Sequence, residues 1–337
     1  MSKVEEYPVG SIFCEEEVEA IRSVLASGDY LSRGREVELF EEEFATYCGA
    51  KYAVAVSSCG AALHIATKLL GLGEGDEVIC QANAFWVTIV HLLERNVVVK
   101  CADVDPYSLN INPAQVDALI TENTRAIYLV HYGGNPVDLD PIREIAQRRG
   151  LSLVEDCAHA VGATYKGRRI GADSELACFS FSTHKNITTL GEGGMIVTNN
   201  GDYAERIRGL RTNFPFGTKV PRQVPSLGRY HKPESEAFMH AGDAWDYDWL
   251  EVEEFGSSYR MSTPQAAVGR VQLKKLDRHI ALRSAIVRKY DVLINDSEQL
   301  RKLSILPDCG NAWYLFPFFV VPETGIVRDE LIDCLQE

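Results

Sequence analysis

Lys185 stands in STHKNITTLGEGGMIV (residues 182–197), between the strand-like run ACFSF and a glycine-rich loop, in a stretch otherwise short of positive charge. A lone lysine is most often a surface charge. Its neighbours alter that reading. In VEDCAHAVGA, upstream of Lys185, an apolar strand delivers Asp156 to its C-terminal end, the edge at which open α/β sheets bind ligands. Further upstream, VSSCGAALHIA passes from strand to helix through small residues. The backbone amides of Gly60 and Ala61 can therefore face an anion at the positive end of a helix dipole. Phe85, in QANAFWVT after another strand, offers a flat cover, although core packing is an equally common fate for a phenylalanine. An anion cradle, a strand-end carboxylate, an amine and an aromatic face together match an aromatic cofactor with a phosphate tail.

Those residues need elements to hold them. From residue 50 to about 200, apolar β-rich runs (YAVAV, DEVIC, NVVVKCADV, RAIYLVHY, LSLVED) alternate with helix-like segments near 60–70, 84–94 and 139–149. Such alternation favours crossover units on a mostly parallel sheet, an α/β domain with helices on both faces. Glycine is expected at the helix C-caps. GLGEGD at 71–76 follows a helix and precedes a strand, the reverse of a phosphate-binding fingerprint, and reads as a turn. Residues 215–257, rich in Pro, Gly, aromatic and acidic residues without a period, read as a long loop or lid. Its Tyr230, His231, His240, Trp245 and Tyr247 would either shape an acceptor pocket or fill an interface. A long helix beginning TPQAAVGRVQLKKLD follows, then a short α/β segment through WYLFPFFVV and a final helix.

With 337 residues, 46% of them apolar, the chain can bury one large core and a smaller one. Its net charge of -14 disfavours nucleic acid and anionic membranes as partners. Nine scattered cysteines, an odd number without a CxxC pair, point to reduced thiols in a cytoplasm and to no metal site. Neither a signal-like N-terminus nor an apolar run long enough to span a bilayer is read.

The order of the motifs resembles the DegT/DnrJ/EryC1/StrS family of pyridoxal-phosphate-dependent sugar aminotransferases, of fold type I. The likeness runs from SGDYLSRGREVELFEEEFATYCGAKYAVAVSS through DEVIC, VDP, VHYGGNP, VEDCAHAVGATYKGRRIG and CFSFSTHKNITTLGEGGMIVTN to YRMSTPQAAVGRVQLKKLD. It implies pyridoxal 5'-phosphate as cofactor, with Lys185 forming the internal Schiff base and then moving protons. By the same resemblance Asp156 pairs with the pyridine nitrogen, and His159 hydrogen-bonds the phenolic oxygen unless it is only a satisfied, partly buried imidazole. Ser180 holds the phosphate with the Gly60 and Ala61 amides, Phe85 stacks on the ring, and Trp86 packs.

The pattern departs at two places. Cys59-Gly60 stands where relatives read Gly-Thr, which removes a hydroxyl donor from the cradle. Ser258 stands where relatives carry the asparagine that reaches the neighbouring subunit's phosphate.

The resemblance further implies an N-terminal arm over 1–13, a large cofactor-binding domain over 14–262, and a linking helix with a small C-terminal domain over 263–337, shorter than in relatives. The expected activity moves an amino group from glutamate or glutamine to a keto sugar, nucleotide-linked, in a cytoplasmic homodimer with shared active sites. A sugar dehydratase of the same family is one alternative, opposed by a lysine rather than a histidine at 185; His184 does not substitute. A non-catalytic binding or regulatory relative is the other.

Overall fold

In the computed structural model, which describes residues 11–32, 34–212, 256–321, 324–325 and 327–336, the chain opens on α1 (Glu15–Ser27) and α2 (Arg35–Cys48). Both end on a glycine in the left-handed conformation, Gly28 and Gly49, a backbone state that a Cβ disfavours. β1 (Tyr52–Val56) then feeds α3 (Cys59–Leu69), whose N-cap is Ser58. The alternation continues through β2 (Glu77–Gln81), α4 (Val87–Leu93), β3 (Val98–Ala102), α5 (Pro113–Leu119), β4 (Thr124–Val130), α6 (Leu139–Arg149) and β5 (Ser152–Asp156). A small hairpin, β6 (Thr164–Tyr165) with β7 (Arg168–Arg169), precedes β8 (Leu176–Ser180), β9 (Gly194–Thr198) and α7 (Gly201–Leu210). Beyond residue 255 lie α8 (Thr263–Asn295), β10 (Leu300–Lys302), β11 (Phe318–Val320) and α9 (Arg328–Gln336).

The seven-stranded sheet has the order β1-β9-β8-β5-β4-β2-β3. Strands β8, β5, β4, β2 and β3 run parallel, and β9 is antiparallel to both β1 and β8. The expected α/β fold with a mostly parallel sheet is therefore present. β5 sits near the middle, with Asp156 level with Val130 of β4 and Cys178 of β8. Because alternate residues of a strand face opposite sides, two cores form, one on each face. One gathers Phe40 and Phe44 of α2, Phe179 of β8 and Phe181, ring against ring, under α8. The other packs α3 and α7 against Val54, Val154 and Cys178. Fully burying one such large apolar side chain contributes about 1.5–3 kcal/mol. At Gly269 of α8 a Cβ would come within 2.7 Å of the Phe40 ring, so the glycine is what lets that helix lie close.

Two sequence expectations shift. The helix near 84–94 begins at Val87 and is followed by Asn96, not glycine, in the left-handed conformation. Asparagine tolerates that state because its short polar side chain bonds locally. Residues 1–10 of the expected arm and nearly all of the 215–257 stretch, with Tyr230, His231, His240, Trp245 and Tyr247, lie outside the described residues. No helix among the described residues is long and apolar enough to cross a membrane.

α1 is tied to α8 by one polar knot. Glu17, 1% exposed, accepts hydrogen bonds from Lys275 Nζ (2.7 Å), Gln272 Nε2 (2.7 Å) and the Cys14 backbone N–H (2.9 Å). Burial opposes ionisation of this carboxyl, but the donors outweigh it and pull its pKa from 4.5 to about 2. A carboxylate depressed in the folded state stabilises above its unfolded pKa, and that stability is lost as pH falls from 4.5 towards 2. Urea unfolding at pH 7 and pH 3 is expected to show a loss on the order of 1–2 kcal/mol from this group, and Glu17→Gln to flatten the slope.

Candidate active site

The end of β5 and the first turns of α3 and α4 converge on Asp156. The carboxylate, 5% exposed at the C-terminal end of β5, accepts from the Ala158 N–H at 3.0 Å on one oxygen and from the Thr88 hydroxyl at 2.8 Å on the other. The Cys59 thiol lies 3.9 Å from the first oxygen. Burial pushes this carboxyl above its ordinary range, opposed by the two hydrogen bonds and by the charge of Lys185. A group so held is pre-oriented, and a cation nearby, as a protonated ring nitrogen would provide, favours its ionised form.

Lys185 rides on a loop pinned at several points. Its own N–H donates to Ser182 O (3.0 Å), and the hydroxyls of Thr188 and Thr189 donate to Phe181 O (2.9 Å) and Glu192 O (2.7 Å). The turn closes through Gly191 at φ 108°, where a side chain would be strained. Next along the chain, Asn186 Nδ2 donates to Ala312 O at 2.8 Å. The lysine amine rests 4.2 Å from the centroid of the Tyr314 ring. That ring stacks on His159 at 4.2 Å and 19°. His159 Nδ1 accepts from the Gly133 N–H (3.3 Å), which leaves Nε2 as the donor nitrogen. Burial, with the Lys185 charge beside it, pushes this imidazole down to about 3, so it is a neutral donor at physiological pH.

The anion end is the start of α3. Ser58 Oγ accepts from the Ala61 N–H at 3.0 Å, so the amide expected to face an anion is engaged by the cap in this structure. The reason is capping, since a serine at the N-cap competes for the same orphan donors that a phosphate would use. A Cβ on Gly60 would lie 3.2 Å from Val87 Cγ1 and 3.9 Å from His91 Nε2. His91 stacks on His64 at 4.5 Å, and His64 Nδ1 is 2.7 Å from the Tyr259 hydroxyl. Burial and the neighbouring His91 push His64 down to about 4. Ser180, 5% exposed, pairs across to Gly194 of β9. A Cβ at Gly194 would stand 2.5 Å from the carbonyl group of Ser58, an overlap with backbone that no rotamer relieves. Gly194→Ala is therefore expected to cost about 1–3 kcal/mol in urea unfolding by pushing the α3 N-terminus off the sheet.

Phe85 and Trp86 are 63% and 61% exposed, with rings 5.7 Å apart. Neither is core packing, which corrects the expectation for Trp86 and leaves Phe85 open to a planar ligand. Ser258 is exposed and accepts from Arg260 (3.1 Å); the adjoining Tyr259 carbonyl takes the Ser57 N–H (2.7 Å), which places Ser258 beside the β1–α3 turn. His184 is exposed. Under the sheet's other face, buried His131 and Glu155 bond at 3.1 Å, and the second imidazole nitrogen accepts from the Val137 N–H. Both nitrogens are thus used within the protein.

An amine, a buried carboxylate, a neutral imidazole donor and a glycine-lined helix N-terminus at one sheet edge fit a phosphorylated pyridine aldehyde. The sequence profile described as the DegT/DnrJ/EryC1/StrS aminotransferase family matches residues 12–337. The chain belongs to that family. Among curated relatives of this DegT/DnrJ/EryC1/StrS protein, the spore coat polysaccharide biosynthesis protein SpsC of Bacillus subtilis (strain 168) is 37% identical over 324 residues, 96% of this chain and 78% of SpsC. Among solved structures, DesV of S. venezuelae, in complex with a ketimine intermediate, superposes with a TM-score of 0.80 at 34% identity, covering 96% of this chain and 78% of DesV. A GDP-4-keto-6-deoxymannose-3-dehydratase with a trapped PLP-glutamate geminal diamine superposes at 0.83 with 27% identity, covering 98% and 83%. The fold is that of the fold type I pyridoxal-phosphate transferases.

Sequence reading of this family member missed Thr88, Gly194 and Tyr314. Thr88 lies three residues after Phe85, one helical turn on, and that spacing was the available signal. Tyr314 carries no local signal, because its segment reads simply as an apolar strand.

Proposed function

We propose that this protein is a pyridoxal-phosphate-dependent aminotransferase that moves an amino group from glutamate or glutamine to a keto sugar, most naturally one linked to a nucleotide. The observation that carries this reading is a lysine amine whose charge acts on a buried, doubly hydrogen-bonded carboxylate at the C-terminal edge of one parallel sheet. Bound pyridoxal phosphate supplies an aldehyde carbon and an electron-accepting ring. Asp156 would hold a proton on the ring nitrogen, and His159 would donate through Nε2 to the phenolic oxygen. Ser180, Gly60 and Ala61 would take the phosphate, with the Ser58 cap yielding or sharing the Ala61 amide. Phe85 would cover the ring face. Lys185 would carry the proton to and from the substrate carbon as general acid and base.

The homologous dehydratase makes deoxygenation the second reading, and the presence of a lysine rather than a histidine at position 185 favours transamination over it. A homodimer with shared active sites belongs to the same proposal. So does the division into an arm (1–13), a large domain (14–262) and a linking helix with a small domain (263–337). Purified protein mixed with pyridoxal phosphate, glutamate or glutamine and a panel of nucleotide-linked keto sugars tests the reading. An aminated sugar formed with one equivalent of the 2-oxo acid is expected. A deoxygenated sugar would replace it with the dehydratase, and failure to bind the cofactor would leave only a binding role.

A further inference from the structure

We propose that Tyr314 is a positioning residue of this site, its one ring registering the Lys185 amine against the His159 imidazole; the inference rests on the aminotransferase reading above. The ring stacks on His159 at 4.2 Å and receives the lysine Nζ at 4.2 Å from its centroid. It touches both groups without hydrogen-bonding either, so it can fix the plane of one and offer a face to the other. Tyr314 is only partly buried, so it is not there to fill the core.

Its backbone is built for delivery. Ala312 N–H donates to Gly134 O and Leu315 N–H to Gly133 O, each at 3.0 Å, which zips residues 312–315 onto the 133–134 turn. That turn in turn donates the Gly133 N–H to His159 Nδ1. Gly134 must be glycine at φ 94°, since a Cβ there would lie 3.0 Å from Trp313 N and 2.9 Å from Asn311 Oδ1. Trp313 itself sits at φ 52°, stabilised by Asn311 Oδ1 on its N–H (2.7 Å) and Arg283 on its carbonyl (3.0 Å). A bulky residue in the left-handed region is a strained one, and here it turns the next side chain, Tyr314, onto the site. The Asn186–Ala312 hydrogen bond links the same segment to the residue after Lys185. Two hydrogen-bonded routes, one through the 133–134 backbone and one through the Asn186 side chain, therefore join the Tyr314 segment to the two side chains that its ring touches.

The consequence concerns the lysine when its amine is free. An ammonium over an aromatic face is attracted without a directional bond, so it is held close yet can leave by rotating about side-chain torsions alone. The stacked, Nδ1-accepting imidazole keeps its N–H on Nε2 throughout.

The test uses the full chain, prepared without cofactor and labelled with ¹⁵N-histidine, as Tyr314→Phe and Tyr314→Leu. Tyr314→Leu is expected to slow uptake of pyridoxal phosphate, followed by absorbance, about five- to thirtyfold, the range of a desolvated cation–π contact. It is also expected to shift the His159 ¹⁵N signals, assigned with His159→Gln, towards a mixture of tautomers. Tyr314→Phe keeps the ring and should keep the wild-type uptake rate and signals. Tyr314→Met, which also lacks a ring, repeats the losses should the leucine variant not fold. Wild-type uptake and His159 signals in both ringless variants would overturn the proposal, as would a phenylalanine variant that behaves like leucine, because the hydroxyl would then be the active part. If the wild-type chain takes up no pyridoxal phosphate, the aminotransferase reading fails, while the ¹⁵N spectra still decide whether Tyr314 orders His159.

Discussion

Lys185→Ala is expected to lower turnover at least about 10⁴-fold, the upper end of what a positioned proton carrier supplies, with the fold intact. The loop around it is held by groups that the substitution leaves in place: the Lys185 N–H on Ser182 O, the Thr188 and Thr189 hydroxyls on backbone carbonyls, and Asn186 on Ala312. What disappears is the amine and its contact with the Tyr314 ring. The side chain is partly buried and its charge acts on the Asp156 carboxylate, so the stability change should be modest, on the order of 1 kcal/mol. Steady-state kinetics with glutamate and a urea midpoint measured on the same preparation separate the two effects. Peptide mapping of borohydride-treated wild-type enzyme should find the cofactor mass on the Lys185 peptide. Wild-type turnover in the alanine variant would overturn the assignment.

Asp156→Asn has the second largest expected effect, a fall in kcat of about 10²–10⁴-fold, as for loss of a group that controls a proton in the transition state. Asparagine keeps the shape, and its carbonyl oxygen can accept the Ala158 N–H as the carboxylate does. The Thr88 hydroxyl, now facing an amide N–H₂, can rotate from donating to accepting. Only the charge is lost. In the cofactor-free protein that loss is expected to be neutral or stabilising at neutral pH. Burial raises this carboxyl's pKa in the folded state, so ionisation disfavours folding as pH rises through the folded value, and asparagine removes that penalty. A variant with unchanged or higher melting temperature, low kcat and an altered absorption spectrum of its bound cofactor is the expected combination. A variant that merely unfolds would assign Asp156 a structural role.

The departures at Cys59-Gly60 also acquire a physical setting. Gly60 lies close to the Val87 side chain, so a Cβ there would need that side chain to give by a few tenths of an ångström. The Cys59 thiol instead faces the Asp156 carboxylate and the Cys178 carbonyl, and burial with the nearby carboxylate keeps it firmly protonated. It is a small buried donor in that position, and it leaves the start of α3 to its backbone amides and the Ser58 cap.

By itself the sequence determined the alternation of strands and helices, and with it the strand-end placement of Asp156 and Ser180 and the loop that carries Lys185. These follow from local pattern, because burial with period two or 3.6 is written into neighbouring residues and a strand's last residue must emerge at the sheet edge. Tertiary structure alone decided which groups complete the site. Thr88 reaches Asp156 across 68 residues, Asn186 reaches Ala312 across 126, and Gly194 admits the Ser58 turn through the pairing of β1 with β9. Such contacts depend on strand order and on the crossing connections between elements, which no local periodicity encodes. The same holds for Tyr314: an apolar run such as WYLFPFFVV gives no indication that one of its rings, ahead of β11, will stack on a histidine and face a lysine amine.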